Sequence, residues 1–91
     1  MKVLPVNVKP TRKTPEFNES SVPAGLLKAH KTKEGVWGKI VIVEGSLRYT
    51  ITEPELEVLT LDANVPGIIE PNVLHEVDPI GSVRFFVQFY E

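Results

Sequence analysis

From Val36 to Tyr90, apolar and polar residues alternate in runs of five to eight, separated by turn chemistry every eight to twelve residues. That rhythm restricts the chain to an antiparallel β architecture, a sandwich or barrel, because no helical segment intervenes to carry a parallel crossover. Val36-Trp37-Gly38-Lys39-Ile40-Val41-Ile42-Val43 is largely β-branched, Glu44-Gly45-Ser46 has turn chemistry, and Leu47-Arg48-Tyr49-Thr50-Ile51-Thr52 alternates apolar with polar. The two runs predict a hairpin. Glu53-Pro54-Glu55 ends it, and Leu56 to Leu61 predicts another strand. After the turn residues Asn64-Val65-Pro66-Gly67, Ile68-Ile69-Glu70 begins a short strand that Pro71-Asn72 interrupts and Leu74 to Val77 resumes. Asp78-Pro79-Ile80-Gly81-Ser82 predicts a last turn. It leads into Val83 to Tyr90, where Val83, Phe85, Val87 and Phe89 share one face and mark a central strand.

The segment before this pattern reads differently. Met1 to Asn18 holds three prolines and four basic residues with no sustained period, which predicts an extended N-terminal arm along a sheet edge, docked by Val3, Leu4, Val6 and Phe17. Ser20-Ser21-Val22-Pro23 supplies hydroxyl caps and an early proline, so Pro23 to Lys28 is expected to form one or two helical turns. With 91 residues the chain has material for one core. The expectation is a single domain over 1–91, with the arm at 1–20 and the barrel at 21–91. Arm residues Val3 to Val6 are placed to extend a neighbour's sheet edge, which predicts a homodimer.

Charge and composition narrow the function. A net charge of −2 and a pI near 5.7 lack the basic field of a nucleic-acid binder, and the Lys28–Lys33 stretch reads as a solvated loop. The absence of cysteine removes disulfides, thiolate metal sites and cysteine nucleophiles, and leans toward a cytoplasmic location. Val3-Leu4-Pro5-Val6 is too short and broken for a signal peptide or a membrane span. No glycine-rich phosphate loop and no Ser/His/Asp set can be assembled.

The chemistry-bearing residues are therefore few. The two histidines are His30, in a polar loop, and His75, in a strand. If the face of His75 and Val77 points inward, the imidazole enters the interior and requires a ligand or a hydrogen-bond partner. A strand histidine is more often structural, and a glutamate before a proline turn, such as Glu70, more often faces solvent. Glu34 and Glu76 are alternative carboxylates, although Glu76 should point away from His75. Trp37, Tyr49 and Phe86 are candidates to line a pocket, with core packing as the commoner role for strand aromatics. Arg48 and Gln88 would bind an anionic ligand if they face inward, with an outward, solvated Arg48 as the favoured orientation.

Val43-Glu44-Gly45-Ser46-Leu47-Arg48-Tyr49 resembles the first hairpin motif of the cupin superfamily, and Ile69-Glu70-Pro71-Asn72-Val73-Leu74-His75-Glu76-Val77 resembles its second. The usual His-x-His pair is missing: Gly38 stands seven residues before Gly45, and His30 is the one upstream histidine. A closer resemblance spans nearly the whole chain. Thr14-Pro15-Glu16-Phe17, Val22-Pro23-Ala24-Gly25-Leu26-Leu27, the run His30-Lys31-Thr32-Lys33-Glu34-Gly35-Val36-Trp37-Gly38, and Ile69 to Val77 together look like the TehB/YeaR-like domain. This resemblance implies a single cupin-type antiparallel β-barrel, a double-stranded β-helix or jelly roll, holding a metal with His30, His75 and Glu70. Two imidazoles and one carboxylate suit a divalent transition metal (Zn, Fe, Mn or Ni) and leave positions open for a small-molecule or anionic ligand. It further implies a tie to tellurite or oxyanion stress. The alternatives are a small metal-dependent enzyme, dioxygenase- or isomerase-like, or a metal-free structural barrel. Methyl transfer, which belongs to a separate domain in such proteins, is not implied.

Overall fold

In the computed structural model, which describes residues 2–27, 31–53 and 55–91, two long antiparallel strands organise a six-stranded sheet. In chain order the elements are β1 (Pro10–Lys13), β2 (Phe17–Asn18), α1 (Ala24–Leu27), β3 (Trp37–Ile51), β4 (Glu57–Leu61), β5 (Gly67–Ile69) and β6 (His75–Tyr90). β3 pairs with β6 from Trp37↔Tyr90 to Ile51↔His75. β5 and β4 line the outer edge of β3, and β1 and β2 line that of β6.

The two glycine turns expected at 44–46 and 78–82 do not reverse the chain. Each is a bulge inside one continuous strand, and the two lie opposite one another. Ile42 pairs with Phe85 and Glu44 with Arg84, so Val43 has no opposite residue. Gly45 then pairs with Val83 and Ser46 with Ile80, so Gly81 and Ser82 are the extra residues on β6. Gly45 and Gly81 supply the left-handed backbone that such bulges need, at φ 84° and 63°.

Side-chain facing follows from this count. One extra residue reverses the alternation of a strand, and two restore it. Accordingly Ile40 and Ile42 are buried before the bulge in β3, whereas Leu47, Tyr49 and Ile51 are buried after it. In β6 the odd positions His75, Val77, Val83, Phe85 and Val87 face inward throughout. These side chains and Leu61 and Ile69 form the core, each apolar one contributing about 1.5–3 kcal/mol by leaving water.

The barrel expected from the sequence is not closed. The hydrogen-bonded path runs β1-β6-β3-β4, with β2 pairing to β6 and β5 to β3 off that path, and no ladder among the described residues joins β1 to β4. With the two glycine turns absorbed as bulges, four short strands become two long ones, so the sheet bends where a barrel would have needed more strands to close. The N-terminal segment lies along a sheet edge over β1 and β2, with Phe17 packed on the core, whereas Val3 and Val6, expected to dock it, are exposed. Arg84 binds Glu16 at 3.0 Å, and the Val83 N–H donates to Glu19 Oε1 at 3.0 Å. The Arg84 hydrogen bond holds the Glu16 carboxyl below the ordinary range, and the Val83 N–H does the same for Glu19. The helix forms one turn, within the one or two expected over Pro23 to Lys28, but the Ser21 hydroxyl serves Asn18, accepting its N–H at 2.8 Å, and does not cap α1.

Gly45→Ala should be severely destabilising, because a β-carbon there would overlap the Ser82 carbonyl oxygen in backbone that L-residues avoid. A loss of more than about 2 kcal/mol in chemical denaturation is expected. Gly25→Ala, where the β-carbon meets nothing within 4 Å, should change stability by less than about 1 kcal/mol.

Candidate functional site

His75 opens β6, and its odd position in that strand turns the imidazole inward, where it is 1% exposed. It is the one buried charged or polar residue identified among the described residues. Its Nδ1 lies 3.0 Å from the Val73 carbonyl oxygen, and since a carbonyl can only accept, Nδ1 carries a proton. Tyr49, cross-strand neighbour of the β6 start, meets the His75 ring edge-on with centroids 5.8 Å apart. The Tyr49 hydroxyl donates to the Ile68 carbonyl at 2.9 Å. Burial pushes the Tyr49 phenol above its ordinary pKa, and the Glu70 and Glu57 carboxylates push it further. Tyr49 thus links the His75 ring to the Ile68 end of β5.

The Pro71-Asn72 interruption places Glu70. Asn72 adopts φ 63°, its N–H donates to the Thr32 carbonyl at 3.3 Å, and the Thr32 hydroxyl approaches the Val36 and Glu70 carbonyls at 2.9 and 3.4 Å. These bonds tie the 31–36 loop to the end of β5. The half-buried Glu70 borders a depression of about 170 Å³ together with Ile51, Val73, Lys2 and the carboxylates Glu53, Glu55 and Glu57. His30, the other histidine of the expected metal set, lies outside the described residues. Among the described residues no three His, Cys, Asp or Glu side chains gather to hold a metal ion.

The remaining candidates are dispersed. Arg48 is exposed and pairs with Asp78 at 3.3 Å. Trp37, half-buried, sits opposite Tyr90. Phe86 lies on the face opposite Phe85, with the Lys13 ammonium 5.2 Å from its ring centroid. Gln88 donates to the carbonyls of Arg12 and Phe89, both at 3.0 Å, and Glu34 is exposed. Glu76 pairs with Thr50 and faces away from His75. A second, larger cleft of about 630 Å³ was not foreseen from the sequence. It lies between β1, β2, α1 and the 31–36 loop, with Ile69 and Val87 beneath. Its cations come from distant segments, Arg12 on β1 and Lys31 and Lys33 in the basic stretch read as a solvated loop, so no local pattern in the sequence joins them.

The chain is thus an open antiparallel sheet with one buried histidine packed against a tyrosine. Residues 12–87 match the family described as the TehB-like domain, and the chain belongs to that family. It is similar to YeaR of Escherichia coli K12, an uncharacterized protein, with 25% identity over 91% of this chain and 76% of that protein. It is also similar to TehB of Haemophilus influenzae, described as a probable S-adenosyl-L-methionine-dependent methyltransferase, with 27% identity over 78% of this chain. The match covers 26% of TehB, so the chain corresponds to about a quarter of that protein. Two crystal structures share the fold. A protein from E. coli K12 superposes with a TM-score of 0.89 at 24% identity, covering 100% of this chain and 97% of its own. TehB from H. influenzae gives 0.83 at 22%, covering 91% of this chain and 31% of TehB. The family resemblance carried by the 14–38 and 69–77 motifs therefore holds. No helix among the described residues is long and apolar enough to cross a membrane.

The raised pKa of Tyr49 has a definite sign in stability. Above the ordinary tyrosine pKa near 10 the unfolded chain loses the phenolic proton while the folded chain keeps it, so stability falls as pH rises past about 10. Tyr49→Phe should flatten this part of the stability–pH profile and, by losing the bond to Ile68, cost about 1–2 kcal/mol at neutral pH. Urea denaturation of both proteins across alkaline pH measures the two effects.

Proposed function

We propose that this domain is a metal-dependent small-ligand-binding module of the cupin type. In this reading His75, Glu70 and His30 hold one divalent transition ion (Zn, Fe, Mn or Ni), and the remaining positions accept a small anionic ligand, an oxyanion in the setting of tellurite or related stress. The observation that carries the reading is the Nδ1–H bond from His75 to the Val73 carbonyl. Metal-binding imidazoles are commonly oriented by such a bond to a backbone carbonyl, which leaves the lone pair of the neutral ring on Nε2. Glu70 joins it in this reading because it stands two residues past Ile68, whose carbonyl holds the hydroxyl of Tyr49, the neighbour of the His75 ring.

When bound, the ion supplies Lewis acidity and fixes the position of an anionic ligand. The chain's own contributions are separate from that chemistry. Val73 sets the imidazole tautomer, Tyr49 packs the ring and stays protonated at neutral pH, and Glu53, Glu55 and Glu57 provide a negative rim that favours cation entry. Methyl transfer is no part of the proposal, since the matched region is about a quarter of TehB.

Elemental analysis of protein purified without a metal-affinity tag tests the reading. About one equivalent of transition metal is expected in the parent, with a drop of at least about tenfold in affinity for His75→Ala and Glu70→Gln and none for Glu34→Gln. If reconstituted parent protein binds no metal, and His75→Ala alters only its unfolding midpoint, His75 is a structural residue and the reading fails.

A further inference from the structure

The 630 Å³ cleft does not include Glu70 or His75, and its lining is of another chemical kind. Phe17, Val36, Ile69, Val87 and Phe89 give it an apolar floor and walls. The volume lies within the range of small-molecule sites, roughly 300–1,000 Å³. The hydroxyls on its wall are already engaged. Thr14 Oγ1 donates to the Pro15 carbonyl at 2.9 Å and accepts the Val87 N–H at 3.0 Å, while Thr32 Oγ1 donates to Val36. A neutral polyol or nucleoside, which needs many directional partners, would find few here.

Charge is what the cleft offers instead. Arg12, Lys31 and Lys33 line it against the single carboxylate side chain of Glu91, and none of the three cations forms an ion pair among the described residues. The Arg12 guanidinium is held over the Phe89 ring, 4.7 Å from its centroid, so one cation is positioned where the apolar wall ends. In a chain of net charge −2, three cations meeting at one apolar cleft form a local reversal of sign.

We propose that this cleft is a binding site for a small organic anion with an apolar body, of the medium-chain or aromatic carboxylate class. The body packs against Phe17, Val36, Ile69, Val87 and Phe89, and the head group is neutralised by Arg12, Lys31 and Lys33. The site is independent of the proposed metal centre and should work in its absence.

The full chain, treated with chelator, is titrated calorimetrically with decanoate, decanol and decyltrimethylammonium. Saturable binding of decanoate is expected, weakened by added salt, with decanol at least about tenfold weaker and the ammonium compound not bound. The charge-reversed protein, Arg12→Glu with Lys31→Glu and Lys33→Glu, should lose at least about tenfold in decanoate affinity. Because reversal of three charges can disturb folding, Gly25→Phe provides the second arm. Gly25 lines the cleft and a β-carbon there meets no atom within 4 Å, so the ring can project into the cavity without displacing the core. Gly25→Phe should abolish decanoate binding while Gly25→Ala retains it. Absence of saturable decanoate binding to the parent overturns the proposal. So does equal affinity for decanol, or undiminished binding by folded Gly25→Phe.

Discussion

The pairing of β3 with β6 supports the rest of the molecule, because every other strand hydrogen-bonds to one of these two. Most of the core side chains, from Ile40 to Ile51 and from Val77 to Val87, are carried by them. Their length would be a liability in a flat ribbon, which cannot enclose its apolar face. The opposed irregularities at Val43 and at Gly81-Ser82 relieve this by bending both strands at the same level. The inward faces of the two halves then meet around Phe85, Leu47 and Leu61, all fully buried.

That bend also separates two chemistries. On one side of it, β3 and β6 present Tyr49 and His75, with Glu70 nearby and acidic residues at the rim. On the other side, the same strands contribute Val87 and Phe89 to an apolar cleft edged by cations. The β5 end and the 31–36 loop touch both regions: Ile69 lines the cleft, Glu70 borders the acidic depression, and Thr32 bonds the backbone between them. The two places differ in sign and in polarity because the strands alternate and bend, not because the chain divides into separate parts.

Much of this was legible in the sequence, and the misses lie where contacts distant along the chain decide the outcome. Period-two alternation identified the strands and the buried face of Val83, Phe85 and Val87, since local pattern and burial agree there. His75 turned inward as the facing of Val77 required. The Gly45 and Gly81 segments read as reversals because a tight turn and a bulge draw on the same residues, and only pairing partners far along the chain distinguish them. Barrel closure failed with those turns. Arg48 faces outward to Asp78, the orientation favoured for it, and Phe86 lies on the face beneath Lys13, because each stands next to a core residue in its strand. The basic cleft escaped notice because Arg12 and Lys31 belong to segments whose proximity is created by β1 docking on β6.

The unopposed Val43 leaves a trace in primary structure that needs no coordinates to read. Ile42 and Leu47 both point to the core across an odd interval, which a strictly alternating strand cannot achieve. A relative in which the corresponding apolar positions stand an even interval apart could bury both along an uninterrupted strand. Among homologues, gains or losses of a single residue in this stretch are therefore expected to mark changes in curvature, whereas two-residue changes should leave it intact.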